Sequence, residues 1–179
     1  AERARERARE RRRLEERGPG NKSVPLYWKV DVPEVSKVLA QKGILPAGFV
    51  QVERPHTTLL YLGGASTDYQ GAEAASLPLE EFRRMQGALK ALEGKTIEVR
   101  MLEIVIEENV VCAVVSLPSN VPCANKVAHV TLGTKFGVPR RYTNEVLEEV
   151  RAGRTSGVTS IQLPTPRALK GRVLLERTS

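Results

Sequence analysis

The chain has 179 residues, a formal net charge of +7 at pH 7 and 41% hydrophobic residues, a length and composition that fit one globular domain with a single core. Its two cysteines, Cys112 and Cys123, stand at the spacing of neither a disulfide framework nor a zinc site, which excludes those small stabilised scaffolds. There is neither an apolar run of the roughly 18 residues that a membrane span needs nor a signal-peptide core. We therefore expect a cytoplasmic protein, with the nucleus as the alternative.

Residues 1–17 form a charged segment with eight Arg and five Glu, in which opposite charges recur at helical i,i+3 spacing, as in Glu2 and Arg5. Gly18-Pro19-Gly20 then breaks any helix. We assign residues 1–20 to a charged arm or linker and residues 21–179 to the compact domain. The arm either contacts RNA or joins this domain to another part of a larger polypeptide.

The first half of the domain shows strand and helix patterns in alternation. A strand is predicted over 26–32, followed by a helix over 34–41 that ends at Gly43. A second strand is predicted over 55–62, where branched and aromatic residues are followed by two glycines. A helix with one apolar face is predicted over 79–92.

The second half contains a strand hairpin, a further strand, a helix and two closing strands, predicted over 96–106, 110–117, 127–133, 143–151, 160–163 and 172–175. Thr143 is the expected N-cap of the helix. The order of elements, with mainly antiparallel signals, predicts an α+β fold.

Both histidines of the chain stand in the same tetrapeptide pattern, as His56-Thr57-Thr58-Leu59 and His129-Val130-Thr131-Leu132. One such motif would most simply be a hydrogen-bonded histidine in a strand. Two independent matches by chance have odds on the order of one in tens of thousands. The repetition therefore indicates a site.

Each motif places a hydroxyl two residues after an imidazole, and residues i and i+2 of a strand point to the same face. Opening a cyclic phosphodiester requires a base on one side of phosphorus and an acid on the other. Two imidazoles can supply both near neutral pH, and we expect His129 to be the base and His56 the acid. Thr58 and Thr131 would then bind the phosphate oxygens.

The residues around the two motifs favour an acid–base mechanism over the other common routes to hydrolysis. Clustered Asp, Glu or Cys at metal-ligand spacing do not accompany the histidines in the sequence. A phosphate-binding glycine loop and a Ser, Cys or Lys nucleophile motif are also missing. We expect neither a metal nor another cofactor.

Paired motifs of His, any residue, Thr or Ser, and an apolar residue resemble the two-histidine (2H) phosphoesterase superfamily, over roughly Tyr27 to Glu176. The run from Ala128 to Gly133 is most similar to the myelin-type 2',3'-cyclic-nucleotide 3'-phosphodiesterases and the cyclic phosphodiesterase domains associated with tRNA and RNA ligases. The resemblance implies two pseudo-symmetric lobes of antiparallel sheet plus helices around a central cleft, with one motif from each lobe.

The resemblance also implies further nucleotide-binding residues. Tyr61, five residues after His56, stands where the myelin-type motif has an aromatic residue that stacks on the base; a core tyrosine is the alternative. A loop that borders the nucleotide is implied at Val138, Pro139 and Arg140. One departure is that Val127 stands where the myelin-type enzymes have an arginine.

By this resemblance, the chain hydrolyses 2',3'-cyclic phosphates of free nucleotides or RNA ends to 2'-phosphates without a metal. Its partners would be those cyclic nucleotides or RNA ends, and the domain would be monomeric. One alternative is an RNA-end-healing domain within a tRNA-ligase-like polypeptide. Another is a catalytically silent module that binds RNA or nucleotides.

Overall fold

A computed structural model describes residues 23–139 and 141–178. The predicted arm over 1–20 and Arg140 lie outside the described residues. The boundary predicted after residue 20 therefore stays a prediction.

The described residues form seven strands and four helices. In chain order these are β1 (Pro25–Asp31), α1 (Val35–Lys42), β2 (Val50–Gln51), β3 (His56–Tyr61), α2 (Asp68–Ala74), α3 (Leu79–Leu92), β4 (Thr96–Ile106), β5 (Val110–Ser116), β6 (His129–Thr134), α4 (Tyr142–Arg151) and β7 (Thr159–Arg177). The strands join in one sheet of order β2-β6-β5-β4-β7-β1-β3, in which every neighbouring pair is antiparallel. The α+β fold is confirmed, and its two lobes are the halves of this continuous sheet.

The two closing strands predicted over 160–163 and 172–175 are parts of a single strand, β7. Its pairing with β4 has one gap. The pairing passes from Met101 opposite Arg167 to Glu103 opposite Gln162, so Pro164 and Pro166 fall in the part that β4 does not pair. Proline lacks the N–H that a ladder needs, so it is tolerated at such a bulge.

The main core lies on one face of the sheet, where α1, α2 and α3 pack. Helices α2 and α3 pack closely, since a Cβ placed on Gly71 would come within 2.3 Å of the Phe82 ring. The largest fully buried side chains of the main core include Trp28, Phe82, Leu59, Leu60, Leu89, Met101, Ile104 and Leu132. The indole of Trp28 donates a hydrogen bond to the side chain of Gln86 at 2.6 Å.

A second, smaller cluster lies on the opposite face. It consists of Val105, Cys112, Val127 and Leu147, and Leu147 belongs to α4. Strand residues alternate between the two faces, so the residues of β4 and β5 contribute to the main core on one face and to this smaller cluster on the other.

Candidate functional site

The two histidines are the first residues of β3 and β6, and their side chains lie on the same face of the sheet. The intervening residues, Thr57 and Val130, are fully buried on the side of the main core. By alternation, each histidine and the threonine two positions later point to the opposite face. The pairing register from β3 through β1, β7, β4 and β5 to β6 shows that this is the same face of the sheet for both motifs.

The two motif strands approach each other although four strands separate them in the order of the sheet. The segment before β6 bonds directly to β3. The Ala124 N–H donates to the carbonyl of Leu59 at 2.7 Å, and the Asn125 side chain donates to the carbonyl of Thr58 at 3.3 Å. The sheet therefore curves enough to bring β3 and β6, the strands that carry the two motifs, together.

Each imidazole is held in the same way by its own strand. The Nδ1 of His56 lies 3.1 Å from the carbonyl of Arg54, and the Nδ1 of His129 lies 2.8 Å from the carbonyl of Val127. A carbonyl accepts only, so Nδ1 must carry the proton and the neutral ring then presents Nε2 as its basic atom. The residue two positions before each histidine thus fixes its tautomer.

His129 lies in a buried position, 8% exposed. Burial lowers its pKa; the hydrogen bond to the Val127 carbonyl acts in the opposite direction, and the charge of His56 lowers it again. The net effect is a pKa below the ordinary value, so this imidazole is neutral at pH 7. The influence of His56 also shows that the two rings are close enough for their charges to interact.

His56 is half-buried and has polar surroundings. The ring of Tyr27 stacks on it, with ring centroids 5.4 Å apart and an interplanar angle of 20°. Its register partner on β1 is Asp31, which forms an ion pair with Lys29. His56 therefore lies beside charged groups, whereas burial dominates the environment of His129.

Thr143 contributes to the second motif, a role that the sequence did not indicate. It was expected to cap the last helix, but α4 begins at Tyr142 with Arg141 at the N-cap. The hydroxyl of Thr143 is buried and lies 3.1 Å from that of Thr131. A threonine in the first turn of a helix is a weak signal, and only the packing of α4 against β6 identifies its partner.

Tyr61 lies on the face of the motifs because of an irregularity in β3. The pairing with β1 passes from Trp28 opposite Leu60 to Lys29 opposite Thr58, which skips Leu59. Without that bulge, a residue five positions after His56 would point to the other face. Tyr61 is 54% exposed, so it is not the core tyrosine that was the alternative. Its contact with a base stays a prediction.

The other predicted nucleotide-binding residues lie in the segment between β6 and α4. Val138 is half-buried and Pro139 is exposed, and the carbonyl of Pro139 accepts a hydrogen bond from the Tyr142 N–H. The structure gives no contact between these two residues and either motif histidine, and Arg140 is outside the described residues. Their role stays a prediction.

Two cavities of the described structure lie beside the second motif and around α4. One of about 180 Å³ is lined by Lys126, Val127 and Asn144, among others. The other, of about 500 Å³, is lined by Glu107, Tyr142 and neighbouring residues. Neither is lined by a motif histidine.

Within residues 23–139 and 141–178, the His, Cys, Asp and Glu side chains form no group of three that could hold a metal ion. Among the helices of that part of the chain, none is long and apolar enough to cross a membrane.

Comparisons with known proteins place the chain in a family. Residues 65–176 match the model of the fungal tRNA ligase phosphodiesterase domain; this range is more than half of the chain and contains the second motif but begins after the first. The fold is similar to that in the crystal structure of a fungal RNA kinase, with a TM-score of 0.58 and 16% identity, over 87% of this chain and 47% of that one. This chain thus spans about half the length of that protein. A search of curated proteins found no match.

Proposed function

This chain belongs to the fungal tRNA ligase phosphodiesterase domain family, and we propose that it hydrolyses the 2',3'-cyclic phosphate ends of RNA to 2'-phosphates without a metal ion. The family makes it a phosphodiesterase of RNA processing. The observation that supports metal-free hydrolysis of a cyclic phosphate is the pair of imidazoles on one face of the sheet. Each has its Nδ1 bonded to the carbonyl two residues before it.

His129 is the base in the proposed reaction, because its burial keeps it neutral. Its Nε2 takes a proton from water while the water oxygen bonds to phosphorus. The bond from phosphorus to the 3' oxygen breaks in line with this attack, and His56 gives that oxygen a proton. The product retains the phosphate on the 2' oxygen, and the two histidines return to their starting states by exchange with solvent.

Thr58 and Thr131 bind the non-bridging phosphate oxygens in this scheme. Each hydroxyl lies on the same face as its histidine, because the two residues are two positions apart on a strand. Negative charge develops on these oxygens as water attacks, so fixed hydroxyl donors stabilise the transition state more than the ground state.

The surface around the motifs supports an RNA end as the substrate. Lys170 and Arg172 of β7 are both exposed, and register with β1 and β4 places them on the face of the motifs. Together with exposed Tyr61 they offer a polyanion two cations and an aromatic ring. A free cyclic nucleotide would use less of this surface, and we retain it as the second candidate substrate.

The proposal is tested by incubation with 2',3'-cyclic AMP and with an RNA oligonucleotide that ends in a 2',3'-cyclic phosphate. Both are assayed in EDTA from pH 5 to 9, with the product position resolved. We expect metal-free turnover to the 2'-phosphate, a bell-shaped pH profile, and a higher kcat/KM for the RNA.

His56→Ala and His129→Ala are assayed alongside, with thermal unfolding to verify that each variant is folded. Loss of hydrolysis in both folded variants would support the two-histidine mechanism. Absence of wild-type turnover on both substrates would contradict it, and salt-dependent RNA binding that survives in both variants would favour the silent binding module.

A further inference from the structure

A charged cluster lies on the motif face, the face of the sheet that carries both motif histidines. The two motifs alone do not explain it. It consists of Lys29 on β1, Asp31 on β1 and Glu176 on β7. The Lys29 side chain is only 8% exposed, and lysine is rarely buried unless its charge is paired. Its Nζ lies 3.0 Å from Asp31 and 2.9 Å from Glu176. Such an arrangement next to a reactive histidine calls for a functional explanation.

The cluster holds more negative than positive charge. Burial lowers the pKa of Lys29, but its hydrogen bonds to Glu176 and Asp31 outweigh burial and leave that pKa raised. One cation between two carboxylates leaves a net charge of about −1. A negative cluster repels phosphate, so Lys29 is unsuited to bind the substrate as long as these pairs hold.

The cluster is next to His56 in the register of the sheet. Asp31 is the register partner of His56, and Glu176 is the register partner of Tyr27, whose ring stacks on the imidazole. Several titratable or charged groups face His56 from the elements around it. They are Tyr27, Lys29 and Asp31 from β1, Arg172 and Glu176 from β7, Arg54 from the segment before β3, and His129 from β6.

The charges of His56 and Glu176 interact. The pKa of Glu176 is lowered first by its hydrogen bond with Lys29 and further by the charges of Lys29, His56 and Arg54. The coupling free energy between two sites is the same in both directions, so the carboxylate of Glu176 favours the protonated imidazole. His129 has the opposite influence on His56, since two like charges repel.

We infer that Asp31 and Glu176, held in place by Lys29, are positioning residues that keep His56 protonated and so make it the acid of the pair. This role rests on the proposed function. The two motifs then differ in protonation because one lies beside fixed carboxylates and the other is buried. The direction of proton transfer is set by residues outside both motifs.

The two histidines of the chain allow a direct test, because long-range ¹H–¹⁵N NMR resolves both imidazoles and His56→Ala assigns them. In the wild type we expect His56 to titrate at a higher pH than His129. Glu176→Gln keeps the shape and removes the charge, and should lower the titration midpoint of His56 by about one pH unit. Glu176→Asp keeps the charge and should restore most of that shift.

The pH profile of kcat supplies the second readout. Activity at high pH requires His56 to stay protonated, so Glu176→Gln should move the alkaline limb to lower pH while the acidic limb stays in place. The matched control is Glu98→Gln on β4, which removes an exposed carboxylate that is paired with Arg100. This control should leave both limbs and both titrations unchanged.

A His56 titration below that of His129 in the wild type would overturn the inference, and this measurement needs no variant to fold. An effect of Glu176→Gln no larger than that of Glu98→Gln would overturn it too, even with hydrolysis intact. If the titrations are as expected but the wild type hydrolyses neither substrate, the proposed function fails, and the catalytic role of the cluster fails with it.

Discussion

The two motifs have the same local structure and different surroundings. In both, the histidine begins a strand, its Nδ1 bonds to the carbonyl two residues earlier, and a threonine follows on the same face. His56, however, is half-buried beside an ionised cluster, whereas His129 is 8% exposed and belongs to a strand that packs under α4.

The local sequence of each strand sets how its imidazole is oriented. Residues from other elements determine whether that imidazole is protonated. Burial lowers the pKa of His129, and in the inference above the carboxylates of Asp31 and Glu176 stabilise a cation at His56. Two copies of one motif can therefore perform opposite proton transfers.

The largest expected effect is the loss of either histidine. His56→Ala and His129→Ala should each lower kcat by about 10²–10⁴-fold, the usual contribution of a general acid or base. Because both act in the same step, the double variant should be little worse than the worse single variant. Single-turnover assays with RNA check this. Losses that multiply in the double variant would show that the two histidines act in separate steps.

The next largest effect is the loss of a motif hydroxyl. Thr58→Ala and Thr131→Ala should each lower kcat by about 10²-fold, with a small change in KM, since one donor to the developing charge is removed. The Thr→Ser variants keep the hydroxyl and should recover most of the activity. Thr165→Ala, at an exposed position of β7, is the control. An equal loss in that control would point to a general effect on the fold.

Thr143 gives a smaller effect, confined to the second motif. Thr143→Val removes the hydroxyl that lies 3.1 Å from Thr131, and should lower kcat less than Thr131→Ala does. It should also reduce the free energy of unfolding by about 1 kcal/mol, the usual net value of one hydrogen bond. Urea unfolding and kinetics measure both quantities. Thr155→Val, at an exposed position, should change neither.

The smallest effect is on the pH dependence of stability. The pKa of His129 is lower in the folded protein than its ordinary value, so the unfolded chain binds more protons as the pH falls. Its contribution to stability is therefore fully present above about pH 6.5 and is lost as the pH falls through the folded pKa. Urea unfolding at pH 7.5 and 5.5 should show this loss.

His129→Ala is expected to be less stable overall but to lose less stability between those two pH values. His56→Ala serves as the matched comparison, since it leaves the buried histidine in place. If both variants lose as much stability as the wild type over that interval, burial of His129 is not the cause of the pH dependence.

Local patterns predicted several elements well. The helix predicted over 79–92 has the bounds of α3, Leu79–Leu92, because its apolar face and the following glycine are both local signals. The short helix α2 was missed. It begins where the Thr67 hydroxyl accepts a hydrogen bond from the Gln70 N–H, but its apolar contact depends on a glycine that packs against Phe82.

The motif face was harder to predict in full. Tyr61 lies on the same face as His56 because of the bulge at Leu59. Strand alternation alone would have placed the Tyr61 ring on the other face. Thr143, whose hydroxyl lies 3.1 Å from that of Thr131, comes from α4. In both places a distant element supplies the deciding contact, so a local pattern has no means of showing it.

The sequence by itself determined the two motifs, the shared face of each histidine and threonine, and the resemblance that led to the family. These follow from spacing within single strands, where geometry is local. The tertiary structure alone decided that β3 and β6 meet, that His129 is buried, and that Lys29, Asp31 and Glu176 gather beside His56. Charge and burial depend on what surrounds a group in space, and the chain brings those surroundings together only when it folds.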